Sequence, residues 1–218
     1  MKFSKAEAYR HLRHRIITQN LLPGQVLNEK EQMGRYDIGR TPMREILLEL
    51  RKDGLVKSVP RAGTFVAPLE LREFQHVIEI RTNLEGLVGQ LAAERITEEQ
   101  LCRLRKIMQA VDDCSSTGKK RSDELFQFES DFHKVTYEAT FNPQLSEMLQ
   151  KLHGVCARFW YYLVFGEKEI LAQINDQRQM LAALEVRDVD LAKSIMEKHI
   201  QTFSNQVKEN ILGIQHSA

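Results

Sequence analysis

Residues 38–56 read IGRTPMREILLELRKDGLV, a run that contains one helix with both of its ends. Met43, Ile46, Leu47 and Leu50 recur at the spacing that lines one helical face with apolar side chains. Thr41 offers an N-cap, and Pro42 fits the first helical position, where a missing N–H loses no partner. Asp53 and Gly54 mark the stop. The period then changes. Residues 55–59 and 64–66 are short β-type runs around a Pro-Arg-Ala-Gly turn at 60–63, which is a hairpin signal.

Working upstream, Ser4 and Glu7 form an S-x-x-E capping box. Tyr9, Leu12, Ile16 and Ile17 follow at helical spacing, and Pro23 and Gly24 end that pattern. Asn28 with Glu31 predicts a second, short helix reaching about Tyr36, with a turn at 37–39 before the helix just quoted. Three helices and a hairpin predict a winged helix-turn-helix over residues 1–69.

Downstream the signal is almost purely helical, over 71–92, 98–113, 122–140, 143–165, 167–186 and 189–212. A Thr97/Gln100 capping box, a polar loop at 115–121, Asn142 with Pro143, and Gly166 separate these segments. Six consecutive helices with short connections predict an all-α antiparallel bundle over residues 70–218. The fold class is therefore mainly α, in two domains.

Composition narrows the function classes. The chain has 218 residues, 42% hydrophobic and 28% charged, as ordinary globular proteins do. No apolar run approaches the roughly 20 residues that span a bilayer, and no signal-peptide core follows the basic N-terminus; a cytoplasmic protein is expected. Cys102, Cys114 and Cys156 are odd in number and form no CxxC pair, which speaks against a disulfide framework. The net charge of +1 hides an asymmetry. Residues 1–69 hold 13 basic and 7 acidic side chains, a balance of +6, and the remainder carries −5. A basic front half is the one suited to a polyanion.

The second of the paired helices in a helix-turn-helix enters the DNA major groove with its N-terminal end toward the bases. Here that end carries Arg40, Thr41 and Arg44. An arginine there can hold both acceptors of a guanine edge. Arg35 is placed for backbone phosphate, and Arg61 beside Gly63 and Thr64 puts a cation on the wing. The alternative is that Arg40 and Arg44 pair with Glu45 and Glu49 on the surface.

Residues 12–67 resemble the GntR family of bacterial regulators, through LLPGQVLNEKE (21–31), IGRTPMREILLELRKDGLV (38–56) and RAGTFVA (61–67). Gly39 stands where the family usually has serine, and Gln32 and Gly34 also depart from its pattern. The second half resembles the FadR-type branch, with its FCD ligand-binding domain, in the six-helix VanR-like variant. The matches are Arg81 with Leu84-Glu85, Leu91-Ala92-Ala93-Glu94-Arg95, Phe132-His133, Asn142-Pro143, and Asp188 with His199.

That resemblance implies a site in the bundle. Many members hold a divalent metal through one aspartate and three histidines, and the corresponding positions here are Glu129, His133, Gln177 and His199. Glu129 and His133 are four apart on one helix face. A neutral amide at Gln177 is a poorer ligand for zinc or nickel than imidazole is. Three readings follow: a weakened site holding zinc, nickel or manganese with water; a metal-free pocket that binds an effector directly; or a Glu129–His133 ion pair with His199 unrelated. Arg81 suits an effector carboxylate, because a guanidinium fork matches it bidentately; its alternative is a salt bridge with Glu79 or Glu85. Arg158 and Tyr161 are further pocket candidates.

The expected protein is a homodimeric regulator; the resemblance implies repression released by ligand, while the sequence itself does not decide between repressor and activator. It would bind an inverted-repeat operator in double-stranded DNA and sense a small carboxylate effector. Two other classes compete: a metal-dependent enzyme in the helical half, and a DNA-binding scaffold with a degenerate sensor.

Overall fold

The computed structural model describes residues 3–115, 118–163 and 167–215. It divides into two compact units. One comprises the chain through Phe74 together with His153–Tyr162; the other comprises Gln75–Leu152 and the chain from Leu163 onward.

In the first unit, α1 (Lys5–Ile17) starts at the expected box: Glu7 N donates to Ser4 Oγ at 3.2 Å, and Ser4 N to Glu7 Oε2 at 2.8 Å. The bond from Ser4 N, with a second from Ser4 Oγ at 2.7 Å, holds the Glu7 carboxyl below its usual range. Asn28 Oδ1 accepts from Glu31 N to start α2 (Glu29–Tyr36), which ends where Asp37 turns left-handed. Next comes α3 (Arg40–Lys52). Strand β1 (Val56–Val59) then pairs antiparallel with β2 (Gly63–Val66), Val56 facing Val66 and Val59 facing Gly63. Gly63, at φ +113°, closes this turn in a region that side chains with a Cβ rarely enter.

The 21–31 stretch lies beside β2: Leu27 N donates to Thr64 O and Val66 N to Gln25 O. Leu12, Ile16, Leu27, Tyr36, Met43, Ile46, Leu50 and Val66 meet in one core. Full burial of such side chains contributes about 2 kcal/mol each.

Thr41 is not the cap of α3. Met43 N donates to Gly39 O at 3.2 Å, so Gly39 is the N-cap and the helix begins two residues before Pro42. Proline is tolerated at the third position for the reason it is tolerated at the first: no N–H of the opening turn has an intrahelical partner. Gly39 supplies no side-chain cap.

The second unit holds helices joined by short loops, with no strand among its described residues. Its elements are most of α4 (Leu71–Arg95), α5 (Glu98–Asp112), α6 (Gly118–Glu138), the first half of α7 (Pro143–Tyr162), α8 (Glu167–Glu185) and α9 (Val189–Gln215). The Thr97/Gln100 box forms as expected. Helix α6 packs on α5 and α8, and α8 on α9. The end of α4 has a cation on it: Arg187 donates to the carbonyls of Ala93, Glu94 and Ile96, the orphan acceptors of a helix C-terminus. Helix α6 starts earlier than the expected 122. Helix α7 ends at Tyr162 rather than 165, and positions 164–166 lie outside the described residues. No described helix is long and apolar enough to cross a membrane.

Candidate DNA-reading surface and buried metal-ligating cluster

The apolar face of α3 is buried through Met43, Ile46, Leu47 and Leu50, which leaves Arg40, Thr41 and Arg44 exposed in its opening turns. Arg40 and Arg44 are four apart and share one face. Their expected acidic partners are engaged elsewhere: Lys5 Nζ lies 3.1 Å from Glu45 and 3.3 Å from Glu49. Among the described residues, Arg35, Arg40, Arg44 and Arg61 make no ion pair or hydrogen bond with the protein. Arg61 and Gly63 are exposed at the hairpin turn. Thr64 is buried, its hydroxyl 3.3 Å from that of Ser58 across the hairpin. Gln32 is buried as well and accepts from Arg15 at 3.0 Å.

In the second unit, Glu129 and His133 point from α6 to one spot, with Oε1 and Nε2 3.0 Å apart. His199, from α9, completes it: its Nε2 lies 3.1 Å from His133 Nε2. All three side chains are buried, and one donor atom from each lies within 4.8 Å of the others. A carboxylate and two imidazoles are a donor set suited to divalent transition metals, so the residues present fit such an ion. His199 is therefore part of the cluster rather than unrelated to it. Gln177, buried on α8, donates from Nε2 to the Glu129 carbonyl at 3.0 Å, and its Oε1 has no hydrogen-bond partner.

A second buried group lies alongside. Arg81 Nε donates to Glu85 Oε1 at 3.0 Å, which selects Glu85 over Glu79 as its partner, and Tyr137 OH donates to the same oxygen at 2.6 Å. Burial pushes the Glu85 carboxyl up. The charges of Arg81 and His133 and the bonds from Tyr137 and Arg81 outweigh it, and the net shift is downward. Burial, then Glu85, pushes the Tyr137 phenol well above its usual value. The rings of Tyr137 and His133 are 5.5 Å apart, so the two groups adjoin.

Arg158 and Tyr161 belong to the first unit, whereas Arg81 belongs to the second. Arg158 is fully buried and donates to the Ala67 carbonyl just past β2. Burial lowers its pKa to about 10, against a smaller raising effect of Glu73. The sequence reading missed Asp176, Tyr137 and Arg187. Tyr137 follows His133 by four and was accessible from spacing; the other two carry no periodic signal.

Residues 4–66 match the family described as bacterial regulatory proteins, gntR family, and residues 76–202 match the FCD domain. The HTH-type transcriptional repressor RspR of Escherichia coli is 25% identical over 203 residues, covering 93% of this chain and 88% of that protein. The HTH-type transcriptional repressor GlaR of the same species is 27% identical over 209 residues, covering 93% and 94%. The solved structure of E. coli McbR/YncC superposes with a TM-score of 0.83 at 22% identity, covering 97% of this chain and all of that one; this likeness concerns the fold. With exposed, unpaired arginines on a winged helix-turn-helix and an FCD match over the bundle, the chain belongs to the gntR family of transcription regulators, and not to a family of enzymes.

Proposed function

We propose that this protein is a ligand-responsive transcriptional repressor that binds an inverted-repeat operator as a homodimer. The observation that carries the reading is the set of arginines on and beside α3: Arg40 and Arg44 are exposed, and Lys5 occupies the glutamates that would otherwise neutralise them. Arg40, Thr41 and Arg44 read bases. Arg35, Arg61 and the backbone at Gly63 hold phosphate, and Thr64 supports the wing from inside. Two-fold symmetry places the half-sites about one helical turn of DNA apart. Repression is supported by the relatives named as repressors.

The effector is a small organic acid bound in the helical domain, whose six helices α4–α9 suit the VanR-like variant. Glu129, His133 and His199, with Gln177 beside them, hold zinc, nickel or manganese. A cation held there would supply positive charge for a carboxylate, and Arg81, its fork set by Glu85 and Tyr137, would anchor the acid. Arg158, tied to Ala67, packs the first unit instead. Binding alters DNA affinity only as far as the acid prefers one arrangement of the dimer.

Selection from random double-stranded DNA with the purified protein is expected to return an inverted repeat. Arg44→Ala should lose that preference, at about 1–3 kcal/mol per base contact, and keep its oligomeric state. Unchanged sequence preference in Arg44→Ala would refute the base-reading assignment.

A further inference from the structure

We propose that Asp176 is a positioning residue that orients His199 toward a divalent cation, an inference that rests on the metal reading of Glu129, His133 and His199. Asp176 Oδ2 lies 3.5 Å from His199 Nδ1, on the side of the ring opposite the Nε2 that meets His133. Both side chains are almost fully buried, and His199 Nδ1 has no hydrogen-bond partner.

Proton bookkeeping gives this pair its role. A neutral imidazole carries one N–H. The 3.1 Å contact between the two Nε2 atoms is a hydrogen bond only if one ring donates from Nε2 and the other accepts. A cation facing both Nε2 atoms requires a lone pair on each, so both rings must then carry their proton on Nδ1. His199 Nδ1 thereby becomes a buried donor, costly to leave without an acceptor. The carboxylate facing it is Asp176. A separation of 3.5 Å exceeds an ordinary N–H···O bond, so Asp176 closes on the ring as the tautomer changes. Its neighbour Gln177, bonded to the Glu129 carbonyl, ties this turn of α8 to the α6 turn that carries Glu129. A carboxylate on the far nitrogen fixes ring orientation and raises ligand basicity.

The test is titration of chelator-treated full-length protein with Co²⁺, following visible absorption, for wild type, His199→Ala, Asp176→Asn and Asp176→Glu. Melting in chelator checks each fold. Wild type should bind one ion per chain. Asp176→Asn should bind about 10–100-fold more weakly, with shifted absorption bands and an unchanged metal-free melt. Asp176→Glu, which keeps the carboxylate, should restore affinity and bands toward wild type. Wild-type affinity and bands in Asp176→Asn overturn the proposal. If Asp176→Asn fails to fold, Asp176→Glu decides: no restoration overturns it. Wild type that binds no more Co²⁺ than His199→Ala overturns the metal reading itself, and the proposal with it.

Discussion

His133 Nε2 and His199 Nε2 approach to 3.1 Å although 66 residues separate them in the chain. Glu129 Oε1 is 3.0 Å from the same His133 nitrogen. Three buried donors on one point make a site that gains from a cation in the folded state and loses it on unfolding. Zinc or nickel at about 100 times its dissociation constant should therefore stabilise the fold by about 2.7 kcal/mol, seen as a raised melting temperature that a chelator reverses. His133→Ala should abolish the shift. If His133→Ala still melts higher with metal, the ion binds elsewhere.

On the proposed reading the exposed arginines would divide into two roles, separable by salt. Each phosphate contact contributes about 0.9 to the slope of log affinity against log salt. Arg61→Ala should lower that slope by about 1 and weaken all sequences alike, whereas Arg40→Ala should change which base is preferred. Fluorescence anisotropy between 50 and 200 mM salt, values set by the steepness of the effect, distinguishes them. A changed base preference in Arg61→Ala would move the wing from phosphate to base contact.

The apolar face of α3 was legible because one period governs all four of its buried residues. Its start was not: the first hydrogen bond, Met43 to Gly39, overrode the more obvious cap at Thr41. Glu129 and His133 could be paired from their spacing alone, but His199 came only through family resemblance, because nothing local reports that α9 crosses α6. Lys5 and Glu45 are 40 residues apart, so the pairing that frees Arg40 and Arg44 is tertiary and invisible to pattern. Arg158 is a pocket candidate in sequence; its burial and its bond to the Ala67 carbonyl, 91 residues away, carry no local signal.

Glu85 predicts an acid sensitivity. It is fully buried and its carboxyl sits below the ordinary value of 4.5. A carboxyl depressed on folding contributes stability above its unfolded pKa and loses it as pH falls through the folded one. Stability should therefore decline below about pH 4.5, and Glu85→Gln should be less stable than wild type at neutral pH, with a flatter acid limb. Urea melts across pH 3 to 7, the span around the carboxylate range, measure both. An identical acid limb in Glu85→Gln would assign the sensitivity to other carboxylates.

Gly89 tests how closely α4 and α9 must approach. A Cβ there would press on the Ala192 carbonyl and stand 2.8 Å from Lys193 N, and backbone cannot swing aside as a side chain can. Helix propensity favours alanine over glycine by up to about 1 kcal/mol, while overpacking costs about 1–3 kcal/mol. With main chain on the receiving side, the clash should win. Gly89→Ala is expected to lose about 1–2 kcal/mol in urea melts. Because α9 also carries His199, the same substitution should weaken Co²⁺ uptake without touching a ligand. A Gly89→Ala protein as stable as wild type, with unchanged uptake, would mean that the α4–α9 spacing is not what holds His199 against His133.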